Sequence, residues 1–405
     1  MTVLYLAAHG FAETGVPLGG GAAVCRELVC EWTRTQPFPL NLITPAILGP
    51  HAPRAQDLAT FNERSYAQFC RRFEAAATAE VLQHDPTTTR VLVNDISEGP
   101  DFQRLSGAGF RIITIYHVDV VAYVSAIYCR NLLKPETLVR WYERLPVGGM
   151  ASLVFAKQRD SLRYSRAVVV PSQSMRDVLQ RCYPQTSPQR IHVMPWGTWD
   201  RGYDQPAADT QAAELRREYG VPQDALVLLT LSRISPEKGQ DLLLEALAEW
   251  EQQPGFPEQP LWLFLCGEAA YMQGKKFLRR LHQLATRLQR TRVVFPGHVE
   301  GLRKQGFFAM ANLYVFPSRH ESYGLTLVEA LQAGLPALAL DHHGAREVLR
   351  PDCGLVVSMA DLQGGLARLL TDAGLRTRMG RSAREYAATL RFSDTAAKLA
   401  RLLLE

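Results

Sequence analysis

Apolar residues follow two patterns that alternate along this chain. Short, almost entirely apolar runs are bounded by turn-forming residues, and the longer segments between them repeat apolar residues every three to four positions. The short runs predict parallel strands, which are buried on both faces, and the periodic segments predict helices. Strands are predicted at residues 3–8, 40–44, 90–94, 111–116, 167–170 and 190–194, and again at 226–231, 261–266, 292–295, 313–316, 337–340 and 354–357.

The alternation of strands and helices restarts once, which predicts two domains. Polar and turn-forming residues at 200–210 (DRGYDQPAADT) separate the two series, and we place the linker there. The predicted fold class is α/β, with two Rossmann-like, doubly wound domains that face a central cleft. A long amphipathic helix is predicted at 57–83, and further helices are predicted from 361 to 405.

Composition narrows the class of protein and its partners. A chain of 405 residues with 47% hydrophobic residues is typical of a soluble protein with two domains. The net charge of +5 is too weak for a nucleic-acid-binding surface, but it is compatible with an anionic substrate or a transient contact with an anionic membrane.

The cysteines and the N-terminal segment indicate where the protein acts. The seven cysteines include no Cys-x-x-Cys pair, so we expect buried thiols rather than a disulfide framework or a zinc site. The N-terminus predicts a first strand rather than a signal peptide, and no apolar run approaches the ~20 residues that span a bilayer. We therefore expect a cytoplasmic protein that contacts at most the inner face of the membrane.

One strand–loop–helix–strand unit, at residues 316–340, carries the strongest candidate chemistry. Glu321 lies in its loop, Gly324 opens the helix, and Glu329 lies about a turn and a half inside it. Loops at the carboxyl ends of parallel strands bind ligands, and the free N–H groups of a first helical turn bind anions. Since carboxylates repel phosphate, we expect the two acids to bind hydroxyl groups. The arrangement is typical of a nucleotide-sugar site, although this spacing alone also fits two solvated acids.

Other polar residues follow predicted strands and so belong to the same edge of a sheet. Arg233 and Lys238 lie between a strand and a helix, where they can neutralise a diphosphate or remain solvated charges. The glycines that end at Gly21 follow the first strand and can approach a phosphate or a sugar ring, although the GxGxxG dinucleotide pattern is absent and a tight turn is the alternative. His117 ends the strand at 111–116, where a structural role is also open.

The segment at residues 118–150 mixes apolar and aromatic side chains with basic ones. Its basic residues are Arg130, Lys134, Arg140 and Arg144. It predicts a helical flap over an acceptor site, a surface that touches lipid headgroups, or ordinary helices packed on the sheet.

Six segments, taken in chain order, resemble the family 4 glycosyltransferases, which are retaining enzymes of the GT-B fold. The resemblance covers nearly the whole chain and is strongest at residues 226–357. The segments are AVVVPSQSMRDVL, VMPWGTWD, SRISPEKGQDLLLEAL, VVFPGHV, HESYGLTLVEALQAGLPALAL and GAREV. The fifth is similar to the Glu-(seven residues)-Glu signature of that family.

The resemblance implies which residues bind the donor. They are Arg233, Lys238 and the backbone N–H groups of Gly324, Leu325 and Thr326 for the diphosphate; Glu321, beside Ser322 and Tyr323, for the sugar; Glu329 for the ribose; His298 and Val299 for the base; and, from the first domain, Gly19 and Gly20 for the phosphates and His117 for the sugar. His117, Arg233, Lys238 and Glu321 are implied to be catalytic. The family also implies domains at 1–204 for the acceptor and 205–382 for the donor, with helices at 383–405 that cross back to the first domain.

The same resemblance implies the reaction. The base segment is similar to that of members that use UDP, so UDP-glucose is the expected donor, and a glycan or lipid-linked molecule is the expected acceptor. No Asp-x-Asp pair is present to hold a metal ion, so no cofactor is expected, and the cations and helix dipole would stabilise the leaving diphosphate.

Two residues depart from the family pattern. Trp196 stands where Asn is frequent, and one residue separates His117 from Asp119, where the two residue types are commonly adjacent. A nucleotide-sugar epimerase, a glycan phosphorylase on the same fold and a non-catalytic nucleotide-binding subunit remain alternative functions.

Overall fold

The computed structural model of this chain describes residues 1–8, 19–50, 52–58, 61–127, 132–144, 148–199, 202–269 and 271–405. The Gly-rich loop after the first strand therefore lies outside the described residues up to position 18. Residues 128–131 and 145–147, in the segment of mixed aromatic and basic residues, also lie outside them, and Arg130 is among these.

Strands and helices alternate along almost the whole chain. The described strands are β1 (Thr2–Leu6), β2 (Leu40–Ile43), β3 (Thr89–Val93), β4 (Arg111–Ile115), β5 (Ala167–Val170), β6 (Ile191–Val193), β7 (Leu226–Leu231), β8 (Leu261–Cys266), β9 (Thr291–Gly297), β10 (Leu313–Phe316), β11 (Ala337–Leu340) and β12 (Gly354–Val357). Each predicted strand is confirmed, with bounds that differ by two residues at most.

The described helices connect these strands. They are α1 (Gly20–Thr35), α2 (Ala55–Leu58), α3 (Glu63–Val81), α4 (Phe102–Gly107), α5 (Val120–Ile127), α6 (Pro135–Arg144), α7 (Gly149–Tyr164), α8 (Gln173–Cys182), α9 (Gln205–Tyr219), α10 (Gln240–Trp250), α11 (Tyr271–Ala285), α12 (Gly301–Met310), α13 (Leu325–Gln332), α14 (His343–Val348), α15 (Leu362–Thr371), α16 (Ala373–Ala387) and α17 (Phe392–Leu404). Short 3₁₀ turns lie at Pro45–Leu48, Pro188–Arg190 and Pro236–Lys238.

The first sheet has the strand order β2-β1-β3-β4-β5-β6, and its neighbouring strands are parallel. The direction of the connections reverses between β1 and β3, which makes the carboxyl ends of these two strands the switch point of the sheet. Helices cover its faces and bury apolar side chains such as Leu4, Phe73 and Val91. Asn94 follows β3 and lies at this switch point.

The second sheet has the order β12-β11-β10-β7-β8-β9 and is likewise parallel. Its connections reverse between β7 and β10, so the loops that follow these two strands form its switch point. The four central strands, β11, β10, β7 and β8, are buried along nearly their whole length, as expected where helices cover both faces. Two doubly wound α/β domains are thus confirmed.

Two sequence-based boundaries were wrong, and helix capping explains both. The helix predicted at 57–83 is two helices, because Asn62 caps α3 by accepting a hydrogen bond from the N–H group of Ser65 at 2.9 Å. The linker predicted at 200–210 is helical from Gln205, because Asp204 caps α9 by accepting from the N–H group of Ala207 at 3.1 Å. Polar cap residues and a proline in the first turn resemble a loop in composition.

The chain divides into two compact units, one comprising Met1–Trp196 with Phe392–Glu405 and the other comprising Gly197–Arg391. The predicted divisions at 204 and 382 lie eight and nine residues from these, respectively. Helix α17 belongs to the first unit, where Thr395 donates to the Pro195 carbonyl at 2.6 Å. Helix α16 belongs to the second unit, where Arg384 donates to the Ala333 carbonyl at 3.0 Å. The return to the first unit therefore begins at Phe392.

The described cysteines are free thiols, and all of them except Cys30 are buried. Burial raises the pKa of the Cys25 thiol to about 12. Cys129 lies outside the described residues. None of the described helices is long and apolar enough to span a membrane.

Candidate functional site

Two loops meet at the switch point of the second sheet, one after β7 and one after β10. Their backbones are in direct contact: a Cβ atom at Gly239 would lie 2.0 Å from the Pro317 carbonyl oxygen. Gly239 also has a φ of +65°, so this position excludes a side chain on two grounds. The N–H group of Arg319 donates to the Glu237 carbonyl at 2.8 Å. The loop that carries Lys238 is thereby fixed against the loop that carries Glu321.

The side chain of Arg319 reinforces this junction. Its guanidinium donates to the Pro236 carbonyl at 2.7 Å and to both carboxylate oxygens of Asp241, at 2.7 and 2.9 Å. Asp241 is buried in the first turn of α10. Bidentate arginine–carboxylate pairs fix orientation as well as distance, so these bonds hold the two loops against one another.

Lys238 and Glu321 contact one another across these loops. The Lys238 ammonium donates to Oε1 of Glu321, and the Ser318 hydroxyl donates to the same oxygen at 3.3 Å. Burial would raise the pKa of the Glu321 carboxyl, but the Lys238 ammonium outweighs burial and the pKa lies below its ordinary value. Oε2 of Glu321 has no hydrogen-bond partner among the described residues. Glu321 is therefore a carboxylate with one oxygen available to a hydroxyl group.

Arg233 follows β7 in a loop that internal hydrogen bonds stabilise. Gln240 donates to the Ser232 hydroxyl at 2.9 Å and to the Arg233 carbonyl at 2.8 Å. The Arg233 guanidinium lies 3.7 Å from Oε1 of the buried Glu237, and its side chain is 33% exposed. The guanidinium can therefore reach an anion from a fixed backbone.

Helix α13 begins beside the same junction. Gly324, with a φ of +101°, precedes its first turn, and no side chain in the described part of the chain caps that turn. Among the described residues, no acceptor forms a hydrogen bond with the N–H group of Leu325 or of Thr326. Free N–H groups and the helix dipole favour an anion at this position. Beneath the turn, the buried Tyr314 hydroxyl bonds to the Thr326 hydroxyl at 2.8 Å and ties the helix to its strand.

Glu329 projects from α13 into a different set of partners. Its Oε1 accepts from the Trp199 indole N–H at 2.8 Å and from the Lys304 ammonium at 2.7 Å. Its Oε2 has no hydrogen-bond partner in the described part of the chain. Glu321 and Glu329 thus each accept from a lysine through Oε1, and the Oε2 of each is available to a ligand. Sequence reasoning missed Trp199 and Lys304, because nothing in a helical pattern or a loop indicates a partner so distant along the chain.

Two histidines that sequence reasoning also missed, the buried His342 and the partly buried His320, lie near the Lys238–Glu321 pair. His342 caps α14: its Nδ1 accepts from the N–H group of Ala345 at 3.1 Å, which places the ring proton on Nε2. Burial lowers the pKa of His342 to about 4 and that of His320 to about 4. Both imidazoles are therefore neutral at pH 7 and add no charge to the site.

The other predicted contacts of the second unit lie at its periphery or point inward. His298 follows β9 at the edge of the sheet, with its Nε2 3.7 Å from Oε2 of Glu300, and the Val299 side chain is buried. Tyr323 is buried, and its hydroxyl accepts from the N–H group of Gly197 at 3.3 Å. Contacts of His298, Val299, Ser322 and Tyr323 with a ligand stay predictions.

Gly19, Gly20 and His117 belong to the first unit and lie near its switch point. Helix α1 starts at Gly20, and Nε2 of His117 lies 3.2 Å from Oδ1 of Asn94. The Asn94 amide donates to Asp95 at 2.7 Å, so Oδ1 is its acceptor and the His117 Nε2 is the donor. Burial lowers the pKa of His117, which leaves the ring neutral with a lone pair on Nδ1.

Asp119, which one residue separates from His117, has a structural role. Its Oδ1 accepts from the N–H groups of Val121 and Ala122 at 3.0 and 3.1 Å. Burial raises its pKa. The extra residue after His117 thus moves the acid from the usual adjacent position into the cap of α5.

Comparisons with known proteins agree with this geometry. Residues 211–386 match a family model described as glycosyl transferases group 1. The D-inositol 3-phosphate glycosyltransferase of Geodermatophilus obscurus is 33% identical over 361 residues, which cover 88% of this chain and 75% of that protein. The enzyme of that name from Corynebacterium efficiens is 32% identical over 225 residues. That match covers 54% of this chain and 51% of the relative, so it spans about half the length of the curated protein.

Solved structures match over the full chain. HepE from Anabaena, in complex with UDP and glucose, has a TM-score of 0.68 and 18% identity, and the match covers 100% of this chain and 99% of that one. Sucrose-phosphate synthase from Thermosynechococcus elongatus has a TM-score of 0.72 and 19% identity, with 99% and 98% covered. These likenesses show the two-domain GT-B fold.

Proposed function

This chain belongs to the family of group 1 glycosyl transferases, and on that premise we propose that it transfers a hexose from a nucleotide sugar to a glycan or lipid-linked acceptor. One observation carries the proposal. Glu321 precedes the uncapped first turn of α13 and Glu329 follows it, and each carboxylate has one oxygen available to a ligand. Anion-binding N–H groups between two hydroxyl acceptors match the alternation of phosphate and diol in a nucleotide sugar.

Each proposed role follows from chemistry that the residue can supply. Bond cleavage between the anomeric carbon and the phosphate leaves negative charge on the diphosphate, and preorganised positive groups stabilise that charge. Arg233, Lys238 and the first turn of α13 provide them. Glu321 binds sugar hydroxyls as the anomeric carbon becomes cationic, and Glu329 binds the ribose. We also propose that His117 binds a sugar hydroxyl.

We further propose that UDP-glucose is the donor, that the reaction retains the anomeric configuration, and that no metal ion takes part. The bound UDP and glucose of the Anabaena structure support the choice of donor. Arg233 and Lys238 support independence from metal, since two cations can neutralise a diphosphate without a divalent ion.

The acceptor is proposed to bind the segment at residues 118–150. Leu132 is 85% exposed and Trp141 is 49% exposed, and Arg140 and Arg144 lie exposed on the same helix α6 as Trp141. Large exposed apolar side chains beside arginines suit an amphipathic acceptor, such as a lipid-linked glycan.

A donor screen tests this function. Wild type should hydrolyse UDP-glucose slowly in the absence of acceptor and bind UDP more tightly than GDP or ADP in calorimetric titrations. Proton NMR should detect the α-anomer of glucose as the first product. Lys238→Ala should reduce hydrolysis roughly 10²–10³-fold, whereas Lys276→Met, at an exposed lysine of α11, should leave it unchanged.

Each arm of the screen can contradict one part of the proposal. The absence of binding and hydrolysis for every UDP-, GDP- and ADP-sugar would overturn the transferase assignment. Tighter binding of GDP than of UDP would overturn the donor, and β-glucose as the first product would overturn retention.

A further inference from the structure

Glu329 is held by two donors that come from different parts of the second unit. The Trp199 indole lies in the segment after β6, and Lys304 lies in α12. Both donate to the same oxygen, Oε1, at 2.8 and 2.7 Å. The side chains of Lys304 and Glu329 are 26% and 12% exposed, so their contact is shielded from much of the solvent.

The backbone of Thr198 and Trp199 is hydrogen-bonded to two other segments. The N–H group of Thr198 donates to the Leu390 carbonyl at 2.7 Å. The Gln332 side chain, from the last turn of α13, donates to the Trp199 carbonyl at 3.4 Å. The indole N–H is therefore a stationary donor, because the chain that carries it is bonded both to α13 and to the segment before α17.

The helix that carries Lys304 is fixed as well. The neighbouring Arg303 makes a bidentate pair with Glu218 of α9, at 2.8 and 2.6 Å, and donates to the Tyr219 hydroxyl at 3.0 Å. A bidentate pair sets the orientation of the helix. The ammonium of Lys304 is thus delivered to Glu329 from a rigid support.

Two donors on one oxygen define the direction of the other. A carboxylate oxygen has about two lone-pair sites, and Trp199 and Lys304 occupy those of Oε1. Rotation of the carboxylate by 180° would exchange Oε1 and Oε2, but the two oxygens are equivalent, so one would still face Trp199 and Lys304 and the other would face away from them. Oε2 is therefore presented with both of its sites open. A vicinal diol, which offers two adjacent hydroxyl donors, fits this single fixed oxygen.

We propose that Trp199 and Lys304 are positioning residues that hold Glu329 so that it discriminates a ribonucleotide from a deoxyribonucleotide. The inference rests on the proposed role of Glu329 as the ribose-binding acid and adds how that acid acquires selectivity. A carboxylate that could turn would accept from whichever hydroxyl or water was nearest. A carboxylate fixed by two donors binds the 2′- and 3′-hydroxyl groups together and loses one bond when either is missing.

Calorimetric titration with UDP and 2′-deoxy-UDP tests this inference. Wild type should bind UDP roughly tenfold or more tightly than 2′-deoxy-UDP, as expected for one hydrogen bond to a charged group. In Trp199→Phe, which keeps an aromatic ring, and in Lys304→Met, which keeps most of the side-chain length, the ratio should fall to below about threefold. The loss should lie in the affinity for UDP, with 2′-deoxy-UDP little affected. Lys304→Arg should keep much of the preference for UDP over 2′-deoxy-UDP, and Lys276→Met should leave that preference at the wild-type value.

The outcomes separate the inference from the function on which it rests. If wild type binds neither UDP, GDP nor ADP, the proposed function fails. If wild type prefers UDP over its 2′-deoxy form and Glu329→Gln abolishes that preference, the function stands. In that case, an unchanged ratio in both Trp199→Phe and Lys304→Met overturns the positioning role, as do equal losses for the two nucleotides in variants whose melting curves match wild type.

Discussion

The buried neutral imidazole of His342 predicts a specific dependence of stability on pH. Its Nδ1 caps α14, and burial lowers its pKa from an ordinary value of 6.5 to about 4. Asparagine is also a strong N-cap residue, since its side-chain oxygen accepts the same kind of hydrogen bond. The substitution His342→Asn therefore removes the titrating group and retains the cap.

The direction of the effect follows from linkage. Between pH 6.5 and pH 4 the unfolded chain binds a proton at this position and the folded chain does not, so the free energy of unfolding falls as the pH falls through this window. Each unit of pKa difference corresponds to about 1.4 kcal/mol, so the difference from 6.5 to about 4 amounts to about 3 kcal/mol in wild type. Above pH 6.5 this contribution is fully present.

Neighbouring ionisable groups also act on the His342 imidazole. Glu321 favours the protonated imidazole of His342, whereas His320, Lys238 and His343 oppose it. Glu321 has a lowered pKa of its own and loses its stabilising contribution below pH 4.5. Measurements at pH 5.0 to 7.5 therefore isolate the histidine contribution best.

Urea unfolding, followed by circular dichroism at half-unit steps of pH, measures the difference. At pH 7.5 the variant should match wild type within about 1 kcal/mol, because the cap is kept. Between pH 6.5 and 5.0 wild type should lose stability more steeply than the variant, by up to about 1.4 kcal/mol per pH unit. Parallel curves across this range would refute the argument that the folded protein excludes the proton from His342.

Four further predictions follow from the site. Glu321→Gln should reduce kcat in steady-state kinetics, and Lys238→Ala should reduce it roughly 10²–10³-fold. Because the two residues are in contact, the double variant should lose less than the product of the two single losses. A kcat near the wild-type value in either single variant would contradict the role of that residue. Activity should survive excess EDTA, and loss that manganese or magnesium restores would contradict the metal-independent mechanism. Gly239→Ala should lower Tm and abolish donor hydrolysis. Gly255→Ala, with a φ of +86° and no atom of the described residues within 4 Å of the added Cβ, should lower Tm less and keep activity. Equal effects of the two substitutions would contradict the role given to the backbone contact at Gly239. Trp141→Ala should raise the acceptor KM and spare donor hydrolysis, and equal losses in both assays would indicate a packing role.

The sequence by itself determined the strands and the order of the chemistry along the chain. Strands such as β7 and β10 could be predicted because a parallel strand covered on both faces must be apolar along its length. Glu321, Gly324 and Glu329 could be predicted as one group because they lie within a single strand–loop–helix unit, where local geometry alone brings them together. Lys238 needed only one assumption more, that it follows an adjacent strand.

Tertiary structure decided which distant residues complete the site. Trp199 reaches Glu329 across 130 positions of sequence and Lys304 across 25, and no local periodicity encodes such pairs. His342 is a neutral hydrogen-bond acceptor because packing buries its ring. In the sequence it is only a polar residue at the start of a helix. Side-chain hydrogen bonds and burial depend on what lies opposite in space, so the pattern of apolar residues could locate the site but could not specify its partners or its protonation states.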